Sequence, residues 1–302
     1  MTGPTRAPTT VIIPAHNEAA VLARGLTAML ETAEPGEFEV IVVSNGSTDA
    51  TAAVARSFAR DRDRDRDRDC DRAITVIELA EASKTAAVRA GAARAAGRVQ
   101  VVVDADVLLP TGVLRDLAAA LHRADGSPRV ACPRVDVDAT GASPLVRGYY
   151  RAWARLPYLS SGTIGSGVFG LTVAGADRLG ELPDVINDDG WVRRAFAPGE
   201  RITTPGAFTV LAPRTLPALV RRRARIAIGN RDLAAAWGDD PGGNSPRALL
   251  AATRSGAVSW PDCAAFGLVT ALARGLAWWR RRTGNRSAWS TDRTSREGTV
   301  TR

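Results

Sequence analysis

Apolar residues in the first hundred positions fall in short continuous runs, each followed by a longer mixed segment. The runs are Thr10–Ile13, Glu39–Val43, Ile74–Ile77 and Val99–Val103. Their length and β-branched content predict strands. Continuous rather than alternating apolar character predicts strands buried on both faces. The segments between them predict helices. Pro14 is expected to break the first strand, with Asn17 capping a helix to about Thr32. A Ser44-Asn45-Gly46-Ser47 turn leads into a helix from Thr48 to about Arg60, and Ser83 caps an Ala-rich helix ending near Gly97. Such alternation predicts an α/β domain, Rossmann-like, with a mostly parallel central sheet flanked by helices.

Beyond Asp106 the pattern is less regular. Helices are expected over Thr111–Arg123, Pro144–Leu156, Asp188–Ala197 and Thr215–Leu233, and strands over Arg129–Asp136 and Ala207–Leu211. Gly162–Gly170 reads as a Gly-rich turn running into a short strand. Two segments stand apart. Arg60–Arg72 is almost pure Arg-Asp alternation with no apolar face, so it predicts a solvated loop or frayed helix extension without a catalytic part. Ala264–Trp279 is short for a membrane span and interrupted by Arg274. With Trp278, Trp279 and Arg280–Arg282 it reads either as an interfacial helix on an anionic membrane or as a helix packed on its own domain. The expected division is a main domain over 1–235, a helical extension over 236–282 and a disordered basic tail over 283–302.

Composition bounds the partners. The chain has 302 residues, 45% of them hydrophobic, enough for one large domain or two small ones. Its net charge of +8 favours anionic partners. No helix-turn-helix, zinc-finger or aromatic RNA-binding signature accompanies that charge, so nucleic acid is not expected among them. The 40 basic residues include a single lysine, Lys84. Cys70, Cys132 and Cys263 are scattered and lack metal-ligand spacing, which suits a reducing compartment. Met1–Thr10 has no apolar signal core. A cytoplasmic location is expected, with peripheral contact on the inner face of the plasma membrane if the last helix is interfacial.

The candidate chemistry begins at Val101-Val102-Val103-Asp104-Ala105-Asp106. Along an extended chain Asp104 and Asp106 share a side, at the strand end where open α/β sheets bind ligands. Two hard oxygen ligands there suit Mg²⁺ or Mn²⁺ neutralising a diphosphate. Alone, the pair reads equally as solvated acids. The turn Pro14-Ala15-His16-Asn17-Glu18 lacks the glycines of a dinucleotide fingerprint and is not a P-loop.

Taken in order, Val11–Glu18, Val40–Asp49, Lys84 and Asp104-Ala105-Asp106 resemble family 2 glycosyltransferases, over about residues 10–230. The resemblance implies a GT-A fold with C-terminal helices, a UDP- or GDP-linked sugar donor, a hydroxyl acceptor, and Mn²⁺ or Mg²⁺. It implies that Pro14, Ala15, Glu18 and Asn45 hold base and ribose, that Lys84 contacts the nucleotide, and that Asp104 meets ribose or metal. Asp106 would be the direct metal ligand. Ser44-Asn45 replaces the family's frequent Asp-Asp or Asp-Asn, which leaves the base open. Gly165, Ser166 and Gly167 resemble the small-residue loop near the acceptor, and a simple turn explains them as well. Asn187-Asp188-Asp189-Gly190-Trp191 resembles the Glu-Asp element of inverting members, with Asp189 as general base and Asp188 in the place of the Glu. Both acids also suit a helix start, and Trp191 either stacks on an acceptor or packs. Arg222 and Arg225 match the basic ends of a Gln/Arg-x-x-Arg-Trp element that clamps the leaving diphosphate. A solvated or membrane-facing basic helix accounts for them about as well. Ile226 replaces its Trp, which argues against processive synthesis. Two other classes remain: a nucleotidyltransferase, and a non-catalytic nucleotide-sugar or membrane-binding module.

Overall fold

The computed structural model describes residues 9–64, 74–160, 165–180, 183, 185, 187–238 and 244–283. The chain runs β1 (Thr9–Ala15), α1 (Ala19–Leu30), β2 (Phe38–Asn45), α2 (Thr51–Arg64), β3 (Ile74–Leu79), α3 (Lys84–Arg94), β4 (Val99–Val103), β5 (Val107–Leu108) and α4 (Thr111–His122). It continues through β6 (Val130–Asp138), α5 (Pro144–Trp153), α6 (Pro157–Ser160), β7 (Val168–Thr172), α7 (Val173–Leu179) and α8 (Asp188–Ala195). It closes with β8 (Arg201–Leu211), α9 (Leu216–Trp237), α10 (Pro246–Arg254) and α11 (Trp260–Arg282). Two compact units form: Met1–Arg134 with Ile164–Asp184 and Ala195–Thr209, and Val135–Thr163 with Val185–Arg194 and Val210–Arg302.

The strand order is β3-β2-β1-β4-β7-β6-β8-β5. The first four strands are parallel, with Val11 opposite both Val40 and Val101. At β7 the direction reverses, Val99 pairing Thr172 and Val103 pairing Val168. The four apolar runs therefore do form one parallel sheet; Val11, Ile12 and Val40 to Val43 of the inner strands are buried, while Ile74 to Ile77 of the edge strand β3 are half-buried. Helix α3 returns the chain from β3 to β4 and packs Ala87 on Ile41 and Val43. A right-handed crossover in that direction puts α3 on the face opposite α1 and α2.

Three local expectations fail for physical reasons. Pro14 does not end β1; it pairs with Val43 inside the strand. Pairing of β1 with β4 stops at Ile12↔Val102, so Pro14 falls where one flank of the strand is open. Ser44 and Asn45 are likewise strand residues rather than a turn. Asn17 does not cap α1, whose N-cap is Glu18. The Arg-Asp repeat continues α2 as far as Arg64, and its remainder lies outside the described residues, as do Cys70, Gly162 and the chain beyond Thr283.

The second unit has its own core, in which Val146, Tyr149 and Trp153 of α5 meet Leu219 of α9 and Val269 of α11. Tyr149 stacks on Phe266 with ring centres 4.9 Å apart. Burial pushes its hydroxyl up to about 12, against the opposing pull of Arg223. Arg151 forks onto Asp262 with two bonds of 3.0 and 2.6 Å, tying α5 to α11. Helices α9 and α11 share a cluster stepping by four on each: Ala224 and Ile228, Ala273 and Ala277. Arg281 meets Asp232 at 2.5 Å at the end of that seam. One face of α11 is thus packed on its own unit.

Candidate active site

In the first unit the candidate residues lie at the carboxyl edge of the parallel strands. Two strand-to-helix turns meet there and cap each other. Asn17 has a left-handed φ of 53°, which suits its short polar side chain. Its Oδ1 accepts from the backbone N–H groups of Thr48 and Asp49 at 2.8 and 3.3 Å. In return, Asp49 Oδ2 accepts from Ala19 N at 3.2 Å, and Thr51 Oγ1 accepts from Glu18 N at 2.8 Å. The open N–H groups before α1 and α2 are therefore satisfied from the opposite turn. Burial alone would raise the Asp49 carboxyl, but the bonds from Thr51 and Ala19 outweigh it and hold it below its ordinary value.

Sequence reading picked Asn17 as a cap but assigned it to the wrong helix. The partner is 31 residues away, and only the sheet register brings it close. Pro14, Ala15 and Glu18 all lie at this edge and are buried. Asn45 is fully buried. Its amide donates to Ala15 O at 2.9 Å. That bond ties the end of β2 to the end of β1. His16, which the sequence did not single out, accompanies it, with Nδ1 2.7 Å from Asn45 O.

Asp104, Ala105 and Asp106 do not continue β4. The chain turns after Val103, and Val107 N donates to Asp104 O at 3.1 Å. Strand alternation is therefore not what places the two carboxylates. Lys84, the first residue of α3, sits behind a Ser83 cap whose Oγ accepts from Ala86 N. Its Nζ is 2.7 Å from Asp104 Oδ1, with both side chains largely buried. The chain's single lysine thus secures the first acid of the pair. Asp106 is half-buried and makes no hydrogen bond or ion pair with the described residues.

The Gly165-Ser166-Gly167 loop closes on this turn. All three residues have positive φ, 101°, 68° and 106°. Gly167 O accepts from Asp104 N at 2.7 Å. A Cβ on Gly167 would stand 2.8 Å from Val107 Cγ2 and 3.4 Å from Asp104 Oδ2, so only glycine admits this approach. The fit against Val107 and Asp104 is what requires glycine at position 167.

The donor set suits a hard divalent cation. Such ions are commonly held by one or two carboxylates, with substrate phosphates completing the shell. Asp106 offers a free carboxylate and Asp104 a braced one. Among the described residues no group of three or more His, Cys, Asp or Glu side chains gathers.

The remaining candidates belong to the second unit. Asn187 is the cap of α8: its Oδ1 accepts from Gly190 N at 3.1 Å, and its amide donates to Asn230 Oδ1 at 2.5 Å. Asp188 and Asp189 occupy the first helical turn, where the dipole favours negative charge. Asp188 is buried and Asp189 half-buried. Gly190 lets α8 approach α9, since a Cβ there would lie 2.9 Å from Leu233. Trp191 is half-buried on the same helix. Arg222 and Arg225 are half-buried on α9, and Arg222 Nη1 reaches Leu211 O at 3.5 Å. Arg193, overlooked in the sequence, is buried with its guanidinium 5.0 Å from the Tyr158 ring centre.

A central sheet that is parallel through four strands and turns antiparallel at β7, flanked by helices, is a GT-A fold. The glycosyl transferase family 2 model matches residues 10–161, and the chain belongs to that family. It is therefore a nucleotide-sugar glycosyltransferase. No curated protein matches the chain. Among solved structures, it resembles the mannosyltransferase PcManGT from Pyrobaculum calidifontis, in complex with GDP-Man and Mn²⁺. The identity is 23%, covering 93% of this chain and 80% of that one, with a TM-score of 0.55. It also resembles glucosyl-3-phosphoglycerate synthase from Mycobacterium tuberculosis in complex with phosphoglyceric acid. There the identity is 16%, with 78% of this chain and 82% of that one covered and a TM-score of 0.51.

Proposed function

We propose that the protein is an inverting, metal-dependent glycosyltransferase that moves a sugar from a UDP- or GDP-linked donor to an acceptor hydroxyl. The observation that carries this reading is the pair of acids at the β4 turn: Lys84 and Gly167 fix Asp104, while Asp106 keeps its carboxylate available. Asp106 would hold Mn²⁺ or Mg²⁺, with Asp104 as ribose contact or second ligand. The cation would supply charge neutralisation for a departing diphosphate. The edge built from Pro14, Ala15 and Glu18, positioned by Asn45, receives base and ribose. Arg222 and Arg225 add charge-assisted hydrogen bonds to the phosphates. Asp189 accepts the proton of the attacking hydroxyl, and a single displacement inverts the anomeric carbon. Gly165, Ser166 and Trp191 contribute to the acceptor side. Structures similar in fold hold GDP-Man with Mn²⁺, and UDP-glucose with Mn²⁺ and glycerol 3-phosphate, which supports either base.

The test separates binding from transfer. Asp106→Asn is expected to weaken Mn²⁺-dependent nucleotide binding by about tenfold or more, the size of a lost charged interaction. Asp189→Asn is expected to abolish transfer and leave nucleotide affinity unchanged. Titration curves that do not move in the first variant, or wild-type turnover in the second, would remove those roles. The anomeric configuration of the product, read by NMR, checks inversion.

A further inference from the structure

Helix α11 buries Ala265, Val269, Ala273 and Ala277 against its own unit. Its opposite face is where a soluble helix would carry charge. Instead that face presents Ala264, Leu268, Ala271, Leu272, Trp278 and Trp279 to solvent. The spacing spans four turns on one side. Leu268 and Leu272 are 45% and 44% exposed, and Trp278 and Trp279 are 54% and 52% exposed. Trp260, at the start of the helix, is 65% exposed. Trp237 ends α9 within about two turns of Asp232, the partner of Arg281. Trp237, Trp278 and Trp279 therefore lie toward one end of the α9–α11 pair, and Trp260 stands at the other end of α11. An apolar stripe of this extent marks an interaction surface.

Charge selects the partner. From Asn244 to Thr283 the arginines are Arg247, Arg254, Arg274, Arg280, Arg281 and Arg282, and the single acid is Asp262. Asp262 is buried and paired with Arg151. Arg274 and Arg282 are exposed beside the stripe, and Arg282 lies 4.6 Å from the Trp278 ring centre. A second copy would bring this positive rim against itself, and like charges facing each other oppose association. An anionic lipid surface meets both requirements: apolar depth for the leucines, and an interface for tryptophans and arginines. Among the described residues no helix is long and apolar enough to cross a membrane.

We infer that the outer face of α11 seats the protein on the surface of an anionic bilayer, with the helix lying in the interface plane. The surface lies wholly within the second unit and does not depend on the transfer chemistry.

The full chain is mixed with vesicles of phosphatidylcholine alone, or of phosphatidylcholine with phosphatidylglycerol. Binding is followed by flotation and tryptophan emission. Expected is flotation with the anionic vesicles only, a blue-shifted emission, and release by salt. Leu268→Asp with Leu272→Asp should abolish it. Arg274→Gln and Arg282→Gln should each weaken it about fivefold, the contribution of one basic residue near such a surface. Melting temperature confirms that each variant folds; Trp278→Ser with Trp279→Ser replaces the leucine pair if that pair does not. The inference is overturned by no flotation with anionic vesicles, or by flotation that none of these changes reduces. It is equally overturned by a vesicle-free dimer that Leu268→Asp dissociates, which would make the stripe an interface between copies.

Discussion

Lys84 shows how one side chain acquires meaning from its surroundings. In the sequence it is a lone lysine among arginines, and its part rested on resemblance. In the structure its ammonium holds Asp104, 2.7 Å away, at the end of the neighbouring strand connection. On the proposed reading it orients one acid of the pair and leaves Asp106 for ligand. Lys84→Met is expected to weaken nucleotide binding about tenfold, the scale of a charged hydrogen bond, as read by calorimetric titration. Lys84→Arg should recover part of the loss. A binding curve identical to wild type in both would restrict Lys84 to a surface ion pair. The sequence singles out Lys84, Asp104 and Asp106 by residue type and order. Their geometry was not legible there, because the chain turns after Val103 and the alternation argument no longer applies.

At the scale of elements, the parallel strands were legible because burial on both faces leaves an unbroken apolar run. Where the ends fell was not, since pairing decides it: Pro14 stays in β1 because β4 has already stopped. The cross-capped turns were hidden for a related reason. Asn17, Asp49 and Thr51 are ordinary turn residues until the β1–β2 register sets them side by side. Asn17→Ala is expected to destabilise the protein by about 1–2 kcal/mol in urea denaturation, since it removes a cap and leaves a left-handed residue without its compensation. Asp49 gives the same brace a pH dependence. Its folded value is depressed below the ordinary 3.8. Its contribution is therefore complete above that value and is lost as pH falls through the lower folded value. Asp49→Asn should flatten the fall in melting temperature across this acid range; an unchanged acid limb would count against the brace.

For the whole molecule, the first unit carries the Val11–Glu18, Val40–Asp49, Lys84 and Asp104–Asp106 motifs, and the family match ends at residue 161. The second unit is built from contacts that no local pattern announces, such as Tyr149 on Phe266 and Asp232 with Arg281. The dual character of α11, packed on one side and apolar on the other, is likewise invisible to a count of its hydrophobic residues. Ligand binding should be visible at this scale. At a hundredfold excess over its dissociation constant, a nucleotide diphosphate with Mn²⁺ is expected to stabilise the fold by about 2.7 kcal/mol. A melting shift with one nucleotide and not the other would identify the base, and no shift with either would oppose the proposed site.

The ion pair at Lys84 has a practical consequence for chemical labelling. Within this sequence Lys84 is the single lysine side chain open to an amine-directed reagent, and it is clasped by Asp104. Acylation of its peptide, followed by mass spectrometry, would thus serve as a built-in reporter on the proposed donor site, with no residue introduced to carry the probe.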